Sequence, residues 1–167
     1  MRRAIVIGCP GSGKSTFARA LSAATGLPLY HLDMMNWNPD RSVVPDEVFM
    51  ARLNAAMAGE RWIIDGNYGS TIEHRLRACD TVFFLDYPTE VCLEGIRSRQ
   101  GQPRPDMPWN EQPGEVDEKF LEFIRDYPRN SRPKVLALLA KYPEREVHAF
   151  RGRAEAEAYL EGLKARG

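Results

Sequence analysis

A chain of 167 residues is enough for one domain with a real core and short for two. Its 23 basic residues are matched by 23 acidic ones, so no global field draws it to nucleic acid or anionic lipid. No run approaches the roughly 18 apolar residues of a membrane span, and the apolar stretch behind Arg2 and Arg3 covers only residues 4–7, which reads as a strand rather than a signal peptide. The three cysteines, Cys9, Cys79 and Cys92, are odd in number and show no CxxC spacing. Cys79 and Cys92 lie in apolar stretches and read as small core residues, and a cytoplasmic location is expected.

Residues 4–7 form a short β-branched run ending at Gly8, the signature of a buried parallel strand. Residues 14–25 carry Phe17, Ala20, Leu21 and Ala24 at helical spacing and stop at Gly26 and Pro28. Residues 29–32 are a second strand. Pro45, Asp46 and Glu47 open a helix in which Phe49, Leu53 and Met57 share a face, closed by Gly59. Residues 62–64 and 81–85 are the third and fourth strands, with a short helix around 72–76 between them. A helix follows Pro88, carries Cys92 and Ile96, and ends at Gly101.

The rhythm breaks at residues 100–115, QGQPRPDMPWNEQPGE, where four prolines and two glycines preclude a regular element. Helical patterning resumes with Val116, Phe120, Phe123 and Tyr127, and again after Pro133 with Val135, Leu138 and Tyr142. Residues 146–150 are a fifth strand, and a last helix carries Tyr159, Leu160 and Leu163. Strands alternating with helices in a chain without repeats predict a single three-layer α/β domain over residues 1–167, with a parallel sheet and right-handed crossovers. The irregular stretch, about 98–115, is a short insertion on it.

The strongest chemical signal is GCPGSGKST, residues 8–16, which satisfies G-x-x-x-x-G-K-[ST] through Gly8, Gly13, Lys14 and Ser15. In such a loop the glycines turn backbone N–H groups inward around phosphates, and the helix that starts there offers its positive end. Gly8, Pro10, Gly11, Ser12, Gly13, Lys14, Ser15 and Thr16 are therefore the candidate ATP cradle. Lys14 is to reach the β- and γ-phosphates, and the Ser15 hydroxyl is to face Mg²⁺. A merely structural strand–helix turn would not need this spacing after a strand and before a capped helix.

Three further segments carry chemistry. RWIIDGNY, residues 61–68, ends an apolar strand in Asp65, which either helps hold Mg²⁺ through water or simply starts a turn. Asn67 and Tyr68 follow at the lip of the sheet, where open α/β folds bind ligands. LYHLDMMNW, residues 29–37, places Asp33 just past the second strand. There it either accepts the proton of an acceptor hydroxyl or caps a turn. His31 reads as a packed or supporting residue, and Trp37 as a stacking surface or a core plug. Arg97, Arg99, Arg104, Arg125, Arg129 and Arg132 group around the Pro-rich insertion and suggest a lid that closes on a transferring phosphoryl group. Arg97 and Arg132 are the residues singled out for phosphate contact. The charges of RGRAEAEA, residues 151–158, read as a solvated helix face.

The P-loop, the strand ending in DGNY, FFLDYP at residues 83–88 and the arginine-bearing insertion resemble the adenylate-kinase-like branch of P-loop kinases over nearly the whole chain. More narrowly, HLDMMNW, WIIDGNY, FFLDYP and RPDM resemble bacterial DNA-topology-modulation (flagellar-regulation) proteins. The resemblance implies strand order 2-3-1-4-5 and a core with a lid, ATP and Mg²⁺ as cofactors, and transfer of the γ-phosphoryl group to a small-molecule or nucleotide acceptor. With its positive charge matched by acids and no helix-turn-helix, zinc finger or RNA-binding aromatic motif, the chain is expected to have no direct nucleic-acid or membrane partner and to be a monomer or homodimer. The chain departs from adenylate kinases after Asp65, where their LLDGFPR-like strand supplies an arginine for AMP and this one has Gly66, Asn67 and Tyr68. A hydroxyl acceptor, as in shikimate- or gluconate-kinase-like relatives with an aspartate after the second strand, fits at least as well. The alternative is a nucleotide-binding regulator of DNA topology or gene expression. It would want a basic stripe and no lid, whereas the sequence offers an arginine-rich insertion and no evident stripe.

Overall fold

A computed structural model describes residues 1–109, 114 and 116–167. The sheet is built from β1 (Arg3–Gly8), β2 (Leu29–His31), β3 (Trp62–Asp65), β4 (Thr81–Leu85) and β5 (Glu146–Phe150), all parallel, in the order β2-β3-β1-β4-β5. The expected order is thus found. In the three central strands both faces are buried, so they read as unbroken apolar runs.

The period of two sorts those runs into two cores. Ala4, Val6, Ile63, Phe83 and Leu85 face one layer, made by α1 (Lys14–Thr25), α5 (Thr89–Arg99), α6 (Glu118–Asn130) and α8 (Arg153–Arg166). Ile5, Ile7, Trp62, Ile64, Val82 and Phe84 face the other, made by α2 (Leu32–Asn36), α3 (Asp46–Met57), α4 (Gly69–Ala78) and α7 (Arg132–Lys141). Phe83 and Phe84 thus anchor opposite sides. Each buries a ring for about 1.5–3 kcal/mol, and truncation of either to alanine would cost about 3–5 kcal/mol.

The second strand ends one residue earlier than the sequence expectation, at His31. Leu32 does not extend the second strand; it opens the five-residue helix α2 and buries its side chain under the sheet edge. Asp33 therefore sits in the first turn of a helix, where a carboxylate is favoured. Pro128 lies inside α6. Of the insertion, residues 110–113 and 115 lie outside the described residues. No helix among the described residues is long and apolar enough to cross a membrane. The carboxyl ends of β1 and β3 converge where the chain reverses its direction of sheet growth, the place at which open α/β sheets take their ligands.

Candidate active site

A cavity of about 1580 Å³ opens over that edge, lined by the P-loop on one side and by Asp33, Tyr68 and the insertion on the other. The loop between β1 and α1 is shaped by its glycines. Gly11 and Gly13 have φ values of 85° and 90°, and Gly13 is the left-handed N-cap of α1. The loop also lies hard against α5: a Cβ on Gly11 would come within 2.0 Å of the Cys92 carbonyl oxygen, and one on Gly95 within 1.9 Å of the Gly11 carbonyl oxygen. Gly95 is thus as necessary to the loop as its own glycines, although no sequence motif marks it.

Side chains from distant segments fix the loop. Asn67 accepts a hydrogen bond from the Gly8 backbone N–H through Oδ1 at 3.0 Å and donates through Nδ2 to the Gly8 carbonyl. Arg153, at the start of α8, donates to the carbonyls of Ser12 at 3.1 Å and Gly11 at 3.3 Å, with its guanidinium 5.7 Å above the Tyr87 ring. That segment is therefore not merely a solvated helix face: Arg153 lines the cavity. Pro10 and Thr16 also line it, and Ser12 is fully buried under it.

Lys14 bends over the loop to donate to the Cys9 carbonyl at 3.3 Å. Burial lowers its pKa, against the opposing pull of the Asp65 and Asp33 carboxylates. The Ser15 hydroxyl donates to Asp106 Oδ2 at 3.0 Å. Asp106 comes from the insertion and is gripped by Arg104, whose Nε and Nη2 lie 3.1 and 3.0 Å from its two oxygens. Burial pushes the Asp106 carboxyl up, but the Arg104 fork and the Ser15 hydroxyl prevail and hold it down at about 2.

Asp65, at the end of β3, is buried. Its Oδ1 lies 2.9 Å from Nδ1 of His31, its register partner on β2, so His31 supports this carboxylate. Its Oδ2 is enclosed without a hydrogen-bond partner. That free oxygen together with the Ser15 hydroxyl suits a hydrated divalent cation next to phosphates. No group of three or more His, Cys, Asp and Glu that could hold a metal ion is found among the described residues.

Across the cavity, Tyr68 donates its hydroxyl to Asp33 Oδ1 at 2.5 Å. Burial raises the Asp33 pKa, while the Tyr68 bond and Lys14 act to lower it. Tyr68 has a left-handed backbone, φ 40°, in a loop held from beneath by the buried Arg75. Arg75 donates to the Gly66 carbonyl at 3.0 Å, to the Asn67 carbonyl, and to the Thr71 hydroxyl at 3.3 Å. Burial lowers its pKa to about 10. Sequence reading missed Arg75; an arginine among the apolar residues of a short helix was the available signal. Trp37 and Trp109 meet edge to face, centroids 5.5 Å apart, and both line the cavity, so Trp37 is a wall rather than a core plug.

Of the arginine cluster, Arg99 and Arg104 line the cavity. Arg97 stands on the outer face of α5, paired at 3.6 Å with Glu94, and Arg132 holds Asp86 through two bonds of 2.8 Å. The structure does not bring these two into the lining.

No family model matches the chain, and no curated protein does. Solved structures do. Shikimate kinase from Bacteroides thetaiotaomicron superposes with a TM-score of 0.59 at 18% identity, over 99% of this chain and 97% of that one. Shikimate kinase from Acinetobacter baumannii, in complex with shikimate, gives 0.63 at 16% identity, over 98% and 90%. A gluconokinase from Sinorhizobium meliloti gives 0.54 at 17% identity, over 99% and 94%. None of these supports an assignment to DNA topology modulation. The shared strand order, with helices on both faces and a P-loop after the first strand, is the fold of the P-loop kinases.

Proposed function

We propose that this protein is an ATP-dependent phosphotransferase that moves the γ-phosphoryl group of Mg·ATP to a hydroxyl of a small molecule. The observation that carries the reading is one cavity holding both a P-loop lysine and a half-buried carboxylate, Asp33, already bonded to a tyrosine hydroxyl. The loop binds the triphosphate through its inward N–H groups and the start of α1. Lys14 neutralises the β- and γ-oxygens, with Arg99, Arg104 and Arg153 at hand around the same cavity. Ser15 and Asp65 would hold Mg²⁺, which supplies charge neutralisation on the phosphates and positions them.

Asp33 orients the acceptor hydroxyl and takes its proton as the oxygen attacks phosphorus. The bond from phosphorus to the β,γ-bridging oxygen breaks, and ADP leaves. Tyr68 fixes the carboxylate for that task, and Arg75 fixes Tyr68. Residues 98–115 act as the lid, with Arg104 bringing positive charge to the phosphates and excluding water. A regulator of DNA topology has no use for an acceptor carboxylate in the nucleotide cavity, and the protein is proposed to work as a cytoplasmic monomer or homodimer without nucleic acid.

Mg·ATP should raise the melting temperature, because a ligand bound only by the folded state adds about 2.7 kcal/mol at a hundred times its Kd. Lys14→Ala should abolish acceptor-stimulated ADP release and most of that shift. A parent protein whose melting curve is unmoved by millimolar Mg·ATP overturns the reading.

A further inference from the structure

Resting on that reading, the geometry points to Asp106 as a further ligand of the Mg²⁺ that Ser15 takes, so that the insertion supplies one corner of the metal's shell. In a P-loop the hydroxyl after the lysine is the group turned toward the metal. Here that hydroxyl already meets a carboxylate 91 residues away in sequence, with Ser15 Oγ and Asp106 Oδ2 3.0 Å apart. Two neighbouring corners of an octahedron with Mg–O bonds of about 2.0–2.1 Å are themselves about 3 Å apart. A cation can therefore touch both oxygens where they stand, once the Ser15 hydroxyl turns its proton away.

The carboxylate is held in place for this. Residues 104–107 close a turn in which the Met107 N–H donates to the Arg104 carbonyl at 3.2 Å, and the side chains of Arg104 and Asp106 are both buried. Arg104 spans both oxygens of Asp106 and so fixes the plane of the carboxylate, as hydrogen bonds to a metal-ligating carboxylate do. Asp65 gives a second, independent sign of a cation. It lines the same cavity, is only 3% exposed, and its Oδ2 has no hydrogen-bond partner. A carboxylate at the phosphate end of the loop repels a triphosphate, and a divalent cation between them turns the repulsion into attraction. Mg²⁺ takes one or two carboxylates together with substrate phosphates and several waters. Ser15, Asp106, Asp65 through water, and the phosphate oxygens make such a set. Because Asp106 belongs to the insertion, the metal would then tie residues 104–106 to the loop whenever nucleotide is bound.

The test compares nucleotide binding with and without the metal, by calorimetric titration of β,γ-imido-ATP in Mg²⁺ and in EDTA. The parent should bind the Mg²⁺ complex more tightly than the metal-free nucleotide. In Asp106→Asn the Mg²⁺ complex should bind at least ~10-fold more weakly, the scale of loss at a metal's supporting groups, while the metal-free nucleotide binds no more weakly than to the parent. Asp106→Cys exchanges a hard oxygen for a soft sulfur. Its preference for the Cd²⁺ complex over the Mg²⁺ complex should exceed the parent's by at least ~10-fold. A carboxylate that only fastens the insertion leaves metal preference unmoved. The inference is overturned by a parent that binds the nucleotide equally with and without Mg²⁺, or by an Asp106→Cys protein with the parent's metal preference. It is overturned as well if Asp106→Asn weakens binding equally in both conditions, or if it binds the Mg²⁺ complex as tightly as the parent or tighter, as unblocking of Ser15 would give. In each of these cases the parent still binds nucleotide and the phosphotransferase reading stands. A parent that binds no nucleotide in either condition removes that reading and the inference with it.

Discussion

Replacing Asp33 with asparagine separates the chemical role of this carboxylate from its structural one. The asparagine would have the same volume and could still accept the Tyr68 hydroxyl, which lies 2.5 Å from Asp33 Oδ1 in the parent. What disappears is the base. Loss of a positioned general base costs about 10²–10⁴ in rate, or about 3–5.5 kcal/mol of barrier at 1.36 kcal/mol per tenfold. The fall should appear in kcat, because the proton moves only as the phosphoryl group transfers. Mg·ATP affinity should stay within about two-fold, since the loop that would hold ATP is braced by Asn67 and Arg153 rather than by Asp33. Stability should move the other way. Burial raises the Asp33 pKa above its ordinary value of 3.8, so the folded state keeps that proton longer than the unfolded chain does. Stability is then lost as pH rises from that ordinary value through the folded one. An asparagine has no charge to bury, so Asp33→Asn should be at least as stable as the parent at pH 7, with a flatter pH dependence. Steady-state kinetics, nucleotide titration and thermal melting from pH 4 to 8 read the three quantities. A collapse of Mg·ATP affinity, or a melting point several degrees below the parent at pH 7, would show that Asp33 serves the fold or the metal instead.

What could be read from the sequence was local, and what could not was assembled across the chain. The P-loop is a contiguous backbone device, so nine residues announce it. The sheet is nearly as legible, because 4–7, 62–64 and 81–85 are short apolar runs between turn residues and the resemblance supplied their order. Leu32 and Asp33 deceived the strand reading because Leu32 continues the apolar run, while the five-residue helix it opens is fixed by packing on α3 and not by periodicity. The brackets around the loop left even less trace. Arg153 is 141 residues from Ser12, Asn67 is 59 from Gly8, and each acts on backbone atoms that any residue would present. Gly95 is silent for a similar reason: its value is the absence of a side chain where two backbones touch. Arg97, by contrast, carried a readable warning in Glu94, three residues earlier on the same helix face, the usual spacing of a surface ion pair.

Two further outcomes follow from the packing of the loop and the insertion. Gly95→Ala places a methyl 1.9 Å from the Gly11 carbonyl oxygen, backbone that cannot swing aside, so α5 and the P-loop must separate. The substitution should lower the melting temperature and weaken Mg·ATP binding at least ~10-fold; nucleotide titration showing parent affinity would refute the contact. Asp106 offers the sharper test, because its charge is held by the insertion against its own burial. Its pKa falls from 3.8 to about 2 under the Arg104 fork and the Ser15 hydroxyl. For a carboxylate depressed in the folded state, the stabilisation is present above the unfolded pKa and is lost as pH falls through the folded one. The shift corresponds to about 2 kcal/mol at neutral pH. By the same linkage it should decline to about 1 kcal/mol at pH 3. Urea denaturation of the parent and Asp106→Asn at pH 7, 5 and 3 should therefore show a gap that is constant down to about pH 5 and then narrows by about half at pH 3. The gap at neutral pH reports how firmly residues 104–106 are fastened over Ser15, and its narrowing identifies the fastening as ionic. A gap that stays the same at all three pH values would mean that the segment is held by packing, and that the Arg104–Asp106 pair contributes no net charge stabilisation there.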